Sequence, residues 1–258
     1  MQQPRSILIT GASSGLGAAL AAVYAAPGVA LALTGRDEGR LAATAERCRG
    51  AGAEALTAAL DVTDAGALAD WIGEVDARAP LDLVVANAGI SGGTGGGEGA
   101  EQTRRLFAVN VDGMLNTVLP AISCMQARGS GQIALMSSLT AFRGFPGAPA
   151  YCASKALVKN WGEGLRGTLR REGIAVSVIC PGFVRTPMTA VNPYPMPMLM
   201  NADAAARLIR RRLARNHARI AFPWPMYALA WFLGALPPVL TDPLFARLPE
   251  KSRLPERP

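Results

Sequence analysis

A short apolar run, Ser6-Ile-Leu-Ile-Thr10, leads straight into Gly11-Ala-Ser-Ser-Gly15-Leu-Gly17, and a helical pattern starts at once behind it. The same alternation of short β-rich runs and longer helical patterns then repeats along the chain. Candidate strands are Ser6–Thr10, Val29–Thr34, Ala55–Leu60, Asp82–Ala86, Gln132–Ser137 and Ile174–Cys180. Several are almost unbroken apolar runs, as parallel strands covered on both faces require. Helical patterns lie between them near residues 15–26, 37–51, 64–79, 100–128 and 151–172, and a further helix near 202–215 precedes a last candidate strand, Ala218–Phe222. Strand–helix alternation predicts an α/β doubly wound parallel sheet with right-handed crossovers. No linker, repeat or break in composition interrupts the first 190 residues, so a single domain is expected.

Two segments break the pattern. Ser91–Gly99 holds six glycines and no large apolar residue, which predicts a mobile surface loop. Pro187–Pro197 is rich in Pro and Met and reads as an irregular excursion. Cys48, Cys124, Cys152 and Cys180 are scattered without a C-x-x-C pair, so neither a metal site nor a disulfide framework is indicated. A Ser-His-Asp triad would rest on His217, the sole histidine, within a basic helix. The first apolar run is too short for a signal-peptide core, and the cytoplasm is the expected compartment.

The glycine turn fits phosphate binding. Glycines permit positive φ and a close backbone approach, and the helix start behind them offers free N–H groups and the positive dipole end. Taken with other ordered signatures, the chain resembles the short-chain dehydrogenase/reductase family. Those signatures are Thr10–Gly17, Asp61-Val62, Asn87-Ala88-Gly89, Asn110, Ser138, Tyr151-x-x-x-Lys155 and Pro181-Gly182. The resemblance implies a Rossmann-like sheet of strand order 3-2-1-4-5-6-7. It assigns residues 1–190 to the dinucleotide-binding and catalytic core, and 187–258 to a substrate-pocket and oligomer-contact extension of the same domain. By resemblance, Gly11, Ser13, Ser14, Gly15, Leu16 and Gly17 cradle the pyrophosphate, and Asp61 and Val62 line the adenine. Asn87, Ala88 and Gly89 lie beside the cofactor, and Pro181, Gly182, Val184 and Thr186 shape the nicotinamide pocket.

NADP(H) is expected ahead of NAD(H). Gly35 stands at the end of the second strand, where the family's NAD enzymes carry a carboxylate that would repel a 2′-phosphate, and Arg36 adds a planar donor fork suited to phosphate. Asp37 is expected to cap the following helix.

Tyr151 and Lys155 are four apart at the start of a helical pattern, which places them on one face. At a separation of ~4 Å and an effective dielectric of ~20, an ammonium attracts a phenolate by about 4 kcal/mol, enough to predict a tyrosine tuned towards neutrality. Ser138 lies at the C-terminal edge of the fifth strand, where open α/β sheets bind ligands. It sits thirteen residues before Tyr151, the family's offset, with Ser137 as the competing candidate. Asn110 matches the family's fourth residue, which helps hold a water near the lysine. The resemblance implies an NADP(H)-dependent oxidoreductase that interconverts a carbonyl and an alcohol, with Tyr151 as acid and base, Ser138 on the carbonyl oxygen and Lys155 on the ribose. The alternative is a catalytically silent dinucleotide-binding sensor of the same fold.

Ala221–Leu240 is charge-free over twenty residues but broken by prolines, and its longest proline-free piece, Met226–Leu236, would reach only ~16 Å as helix. Trp224, Tyr227, Trp231 and Phe232 are expected to roof an apolar substrate's entrance, meet a second copy in a homodimer or homotetramer, lie on a membrane surface, or pack in the core. The net charge is +7, with Arg207, Arg210, Arg211, Arg212, Arg215 and Arg219 clustered in one run. That run reads as a solvated face or an anionic-lipid contact, making the protein peripheral to a membrane. Nucleic acid is not expected, since no recognition motif accompanies the charge.

Overall fold

In the computed structural model, residues 3–91, 98–192 and 194–246 are described. The first part of the chain runs β1 (Ser6–Thr10), α1 (Gly15–Tyr24), β2 (Ala30–Gly35), α2 (Glu38–Gly50), β3 (Glu54–Ala59), α3 (Ala65–Arg78) and β4 (Leu83–Ala86). It continues with α4 (Ala100–Phe107), α5 (Gly113–Arg128), β5 (Gly131–Met136), α6 (Pro149–Leu169) and β6 (Ile174–Pro181). Two-residue strands β7 (Val184–Arg185) and β8 (Met200–Asn201) pair on either side of a short helix, α7 (Pro187–Ala190). The rest is α8 (Ala202–Ala214), β9 (Arg219–Phe222), α9 (Trp224–Ala235) and α10 (Pro238–Phe245).

Seven strands form one parallel sheet in the order β3-β2-β1-β4-β5-β6-β9, the order the resemblance implies with β9 as the seventh strand. The apolar runs mark the centre: β1, β4 and β5 are buried at every position. β3 is an edge strand and alternates more. One apolar layer packs α1, α2 and α8 on one face of the sheet, around Ile9, Leu20, Leu33 and Ile209. The other packs α3, α5 and α6 on the opposite face, around Leu8, Ile72, Val118 and Val158. Expected strand and helix ends fall within two residues of those observed, apart from α4–α5, the Pro187–Pro197 segment and α6, which ends at Leu169 with a 3-10 turn over Arg170–Glu172 behind it.

The run 100–128 is not a single α-helix: residues Ala108–Asp112 form a π turn between α4 and α5. By length and apolarity Ala100–Arg128 could cross a membrane, but its apolar side chains pack against α3 and the sheet. Pro187–Pro197, expected to be irregular, opens with α7, which Thr186 and Thr189 close by a reciprocal capping box. The loop expected over Ser91–Gly99 lies largely outside the described residues, which omit 92–97.

The described residues of the segment 187–258, which end at 246, are built into the same body. β9 pairs with β6, α8 lies on α1, and α9 packs on the turn Leu139–Phe142. Phe142 meets Tyr227 edge to face at 5.5 Å between centroids, and Phe145 meets Phe245 likewise at 5.1 Å. A Cβ at Gly234 would stand 2.2 Å from the Phe142 carbonyl oxygen, so this close approach requires glycine.

Candidate active site

The strand C-termini open into a cleft of about 610 Å³, within the range of small-molecule and cofactor sites. It is lined at one end by Gly11, Ser13, Ser14, Gly15 and Leu16, and at the other by Ser138, Tyr151 and Lys155. Arg36, Asp61, Val62, Asn87, Ala88, Gly89, Pro181, Gly182, Val184 and Thr186 complete the walls named from sequence. Gly17 and Asn110 do not line it. Gly17 is a packing glycine, since a Cβ there would lie 2.2 Å from the Gly11 carbonyl oxygen. Gly11 and Gly15 have φ of +69° and +57°, a conformation glycine adopts without strain.

The turn is locked to β4 from below. The Thr10 hydroxyl accepts from the N–H groups of Asn87 and Ala88, both at 3.1 Å, and Asn87 Nδ2 donates to the Thr10 carbonyl at 2.9 Å. What the turn does not contain is a cap for α1: Ser14 at its N-cap makes no side-chain bond to the helix. By contrast α2 and α3 begin with Asp37 and Asp64, whose carboxylates accept from Arg40 N and Ala67 N. The first N–H groups of α1 therefore face the cleft without a protein side chain to cap them, and an anion such as a pyrophosphate fits there.

At the end of the cleft beside β2, Arg36 Nη1 lies 3.9 Å from Asp61 Oδ2, a loose and half-exposed pair. Asp61 is held below the usual carboxylate range mainly by the Thr63 backbone N–H. Arg40, Leu60 and Ile90 also line the cleft and were missed from sequence, although Arg40 stands one helical turn beyond Arg36. Arg40 Nε is engaged with Asp37 at 2.6 Å. A Cβ at Gly35 would come within 3.0 Å of the Ser13 hydroxyl, so a larger residue at the end of β2 would press on the phosphate turn.

At the other end the two candidate serines separate. The Ser137 hydroxyl is buried and donates to the Lys155 carbonyl at 2.7 Å, tying β5 to α6. Ser138 lines the cleft, accepts from Thr140 N at 3.1 Å, and stands beside the Tyr151 hydroxyl. Lys155 is 4% exposed and its Nζ donates to the Met136 carbonyl at 3.0 Å. Burial lowers its pKa to about 8.

The expected downward tuning of Tyr151 is not what the protein alone produces. Burial pushes the phenol up to about 12, with the Ser138 hydroxyl beside it pulling the other way. The Lys155 ammonium lies 5.8 Å from the centre of the Tyr151 ring and is not the dominant influence. Burial disfavours the charged form of both groups, which raises the phenol and lowers the ammonium.

Asn110 lies within the π turn and is fully buried behind the cleft wall. Its Oδ1 accepts from Ile90 N at 2.8 Å, while Nδ2 donates to the Ile90 carbonyl at 2.9 Å and to the Ser154 hydroxyl at 3.1 Å. Both side-chain donors are thus held by protein partners, and the amide ties the exit of β4 to α6. The same amide approaches Gly89, where a Cβ would meet Asn110 Oδ1 at 3.1 Å and Lys155 Nζ at 3.3 Å.

Thr186, expected to help shape the nicotinamide pocket, also caps α7, and its side chain packs over Gly15. Arg219 does not belong to a solvated basic face: it bonds Glu163 and the Tyr227 hydroxyl and lies over the Phe142 ring. Arg210 reaches the Val23 carbonyl and covers Tyr24.

Comparison with known proteins finds relatives over nearly the whole chain. An uncharacterized oxidoreductase of Myxococcus xanthus is 39% identical over 246 residues, covering 95% of this chain and 97% of that one. A short-chain dehydrogenase from Sphingobium yanoikuyae, solved in complex with NADPH, superposes with a TM-score of 0.77 at 27% identity, over 98% of this chain and 99% of that one. One from Mycobacterium paratuberculosis, solved bound to NAD, superposes with a TM-score of 0.78 at 23% identity over 88% and 100%, and so shares the fold. A family model described as short chain dehydrogenase matches residues 5–194, well over half of the chain, and the protein therefore belongs to the short-chain dehydrogenase/reductase family of oxidoreductases.

Proposed function

We propose that the protein is an NADP(H)-dependent oxidoreductase that interconverts a carbonyl and an alcohol. The observation that carries this reading is the convergence of Ser138, Tyr151 and Lys155 at one end of a cleft whose other end is the uncapped start of α1. A bound nicotinamide supplies the hydride, and the chain's own groups do the rest. The Ser138 hydroxyl donates to the substrate's carbonyl oxygen. The Tyr151 hydroxyl delivers its proton to that oxygen as it gains charge, and takes it back in the oxidation direction. Lys155 and Tyr151 would hold the ribose, and the ammonium, already buried, favours the phenolate that remains after proton delivery.

NADP(H) is favoured over NAD(H) by Arg36 in the cleft wall, free to exchange its loose contact with Asp61 for a 2′-phosphate, and by the absence of a carboxylate at Gly35. The substrate class is an apolar ketone or its alcohol, a reading supported by Met188 in the cleft wall, whereas no residue of α9 lines the cleft. Trp224, Trp231 and Phe232 stay exposed in the single chain, at 73%, 55% and 55%, whereas Tyr227 packs inward on Phe142. A second copy in a homodimer or homotetramer, or a membrane surface met from the cytoplasm, is the proposed cover for them. A panel of carbonyls and alcohols followed at the nicotinamide absorbance, with both dinucleotides, tests the function. Turnover with none of them would favour the sensor reading.

A further inference from the structure

Helix α6, which carries Tyr151 and Lys155, begins without a cap of its own. Ala148 at the N-cap has no side-chain acceptor, and Pro149 behind it has no N–H. Ala148 N donates back to the Phe145 carbonyl at 3.1 Å, and Cys152 N makes the first helical bond, to the Ala148 carbonyl at 3.0 Å. The N–H groups of Ala150 and Tyr151 are left over.

One distant side chain takes both. The Glu98 carboxylate accepts from Ala150 N through Oε2 and from Tyr151 N through Oε1, the latter at 3.1 Å. Glu98 is itself tied to the start of α4, because the Thr103 hydroxyl donates to its carbonyl at 3.2 Å. The backbone amide of Tyr151 is thus gripped by a charged group that belongs to neither α6 nor the strands around it. Bonds from N–H to carboxylate are charge-assisted, and the negative group lies where the helix dipole favours it.

We propose that Glu98 is a positioning residue for the reaction: by holding the first turn of α6 it fixes where the Tyr151 hydroxyl stands relative to Ser138. The proposal rests on the reading of Tyr151 as the proton-transfer residue. Tyr151 is the third residue of its helix, in the turn where helices fray, and its phenol follows the backbone that Glu98 grips. Proton transfer tolerates little error in that position. Nothing in the glycine-rich sequence around Glu98 marks it, since the partners lie 52 and 53 residues away.

The test uses the full chain with Glu98→Ala, Glu98→Gln and the double variant Glu98→Ala/Ala148→Asp, which supplies a local cap. Amide hydrogen exchange should speed up at Ala150 and Tyr151 in Glu98→Ala. NADPH affinity should hold, and kcat should fall about tenfold or more. Glu98→Gln, which keeps one acceptor oxygen, should fall between, and serves if the Ala variant does not fold. The double variant should recover most of the lost kcat. Unchanged exchange, unchanged kcat, or a loss of kcat matched by equal losses of NADPH affinity and thermal stability would each overturn the role. Absence of carbonyl turnover in the unmutated protein would instead sink the reading of Tyr151, and is told apart because exchange is measured without substrate.

Discussion

Replacing Lys155 by Met should stabilise the cofactor-free protein near neutral pH while abolishing turnover. Lys155 is almost fully buried, and its one hydrogen bond is to a neutral carbonyl, that of Met136. Burial lowers its pKa from the ordinary 10.5 to about 8. At ~1.36 kcal/mol per unit, holding the charged form there costs the fold roughly 3 kcal/mol. The sign follows from proton counts. Below pH 8 the folded and unfolded chains both hold the proton, and the whole penalty stands. Between about pH 8 and 10.5 the unfolded chain holds a proton that the folded chain has lost, so stability rises with pH through that window. Met carries no charge, but it leaves the Met136 carbonyl unpartnered, a loss of about 1 kcal/mol. The net gain near pH 7 is about 2 kcal/mol, or ~4–8 °C in Tm at the slope usual for chains of this size. Thermal and urea unfolding of both proteins from pH 7 to 10.5, without dinucleotide, would show the gap and its closure as pH rises. A Met variant less stable than the parent at pH 7, or a gap that does not narrow with pH, would refute the reasoning.

Tyr151→Phe should leave NADPH binding intact and lower kcat by about 10²–10⁴, the usual worth of a general acid, as single-turnover kinetics would show. Retained activity would mean that another group delivers the proton. Arg36→Ala should remove most of an NADPH preference that one charge-assisted phosphate contact sets at about ten- to a hundredfold; equal affinities for NADPH and NADH in the unmutated protein would remove the basis for it. The exposed aromatics of α9 should give an oligomer by sedimentation, or salt-sensitive pelleting with anionic vesicles, and a monomer that ignores vesicles would leave both covers without support.

The sheet was legible because its central strands are buried on both faces, and such burial writes itself as unbroken apolar runs like Ile7–Ile9 and Leu83–Ala86. The cleft was legible because glycine turns and strand ends are local features. What the sequence did not show depends on partners far apart in the chain. Nothing near Asn110 says that both donors of its amide would be taken by Ile90 and Ser154. The run of arginines before α9 looks like one basic face, yet Arg219 leaves it at β9 to meet Glu163. The sign of the shift at Tyr151 was missed for the same reason: the attraction of Lys155 can be read from spacing, whereas the depth of the pocket that desolvates them both cannot.

The placing of uncompensated positive charge argues for what the cleft holds. Three helices of the core, α2, α3 and α6, have the N–H groups of their first turn met by carboxylates, from Asp37, Asp64 and Glu98. Helices α1, α4 and α8 have no side-chain cap, and of these α1 lines the cleft. Lys155 pairs with no carboxylate among the described residues, although partly buried cations elsewhere do, as Lys159 and Arg128 illustrate. Arg36 has its carboxylate at the limit of contact. Each of these positions is less stable than it would be with a local acidic partner, and each opens on the same cavity. A ligand with a pyrophosphate in the middle, a ribose hydroxyl pair at one end and a phosphate at the other would compensate all three at once. Its binding should therefore raise stability through α1, Lys155 and Arg36 together.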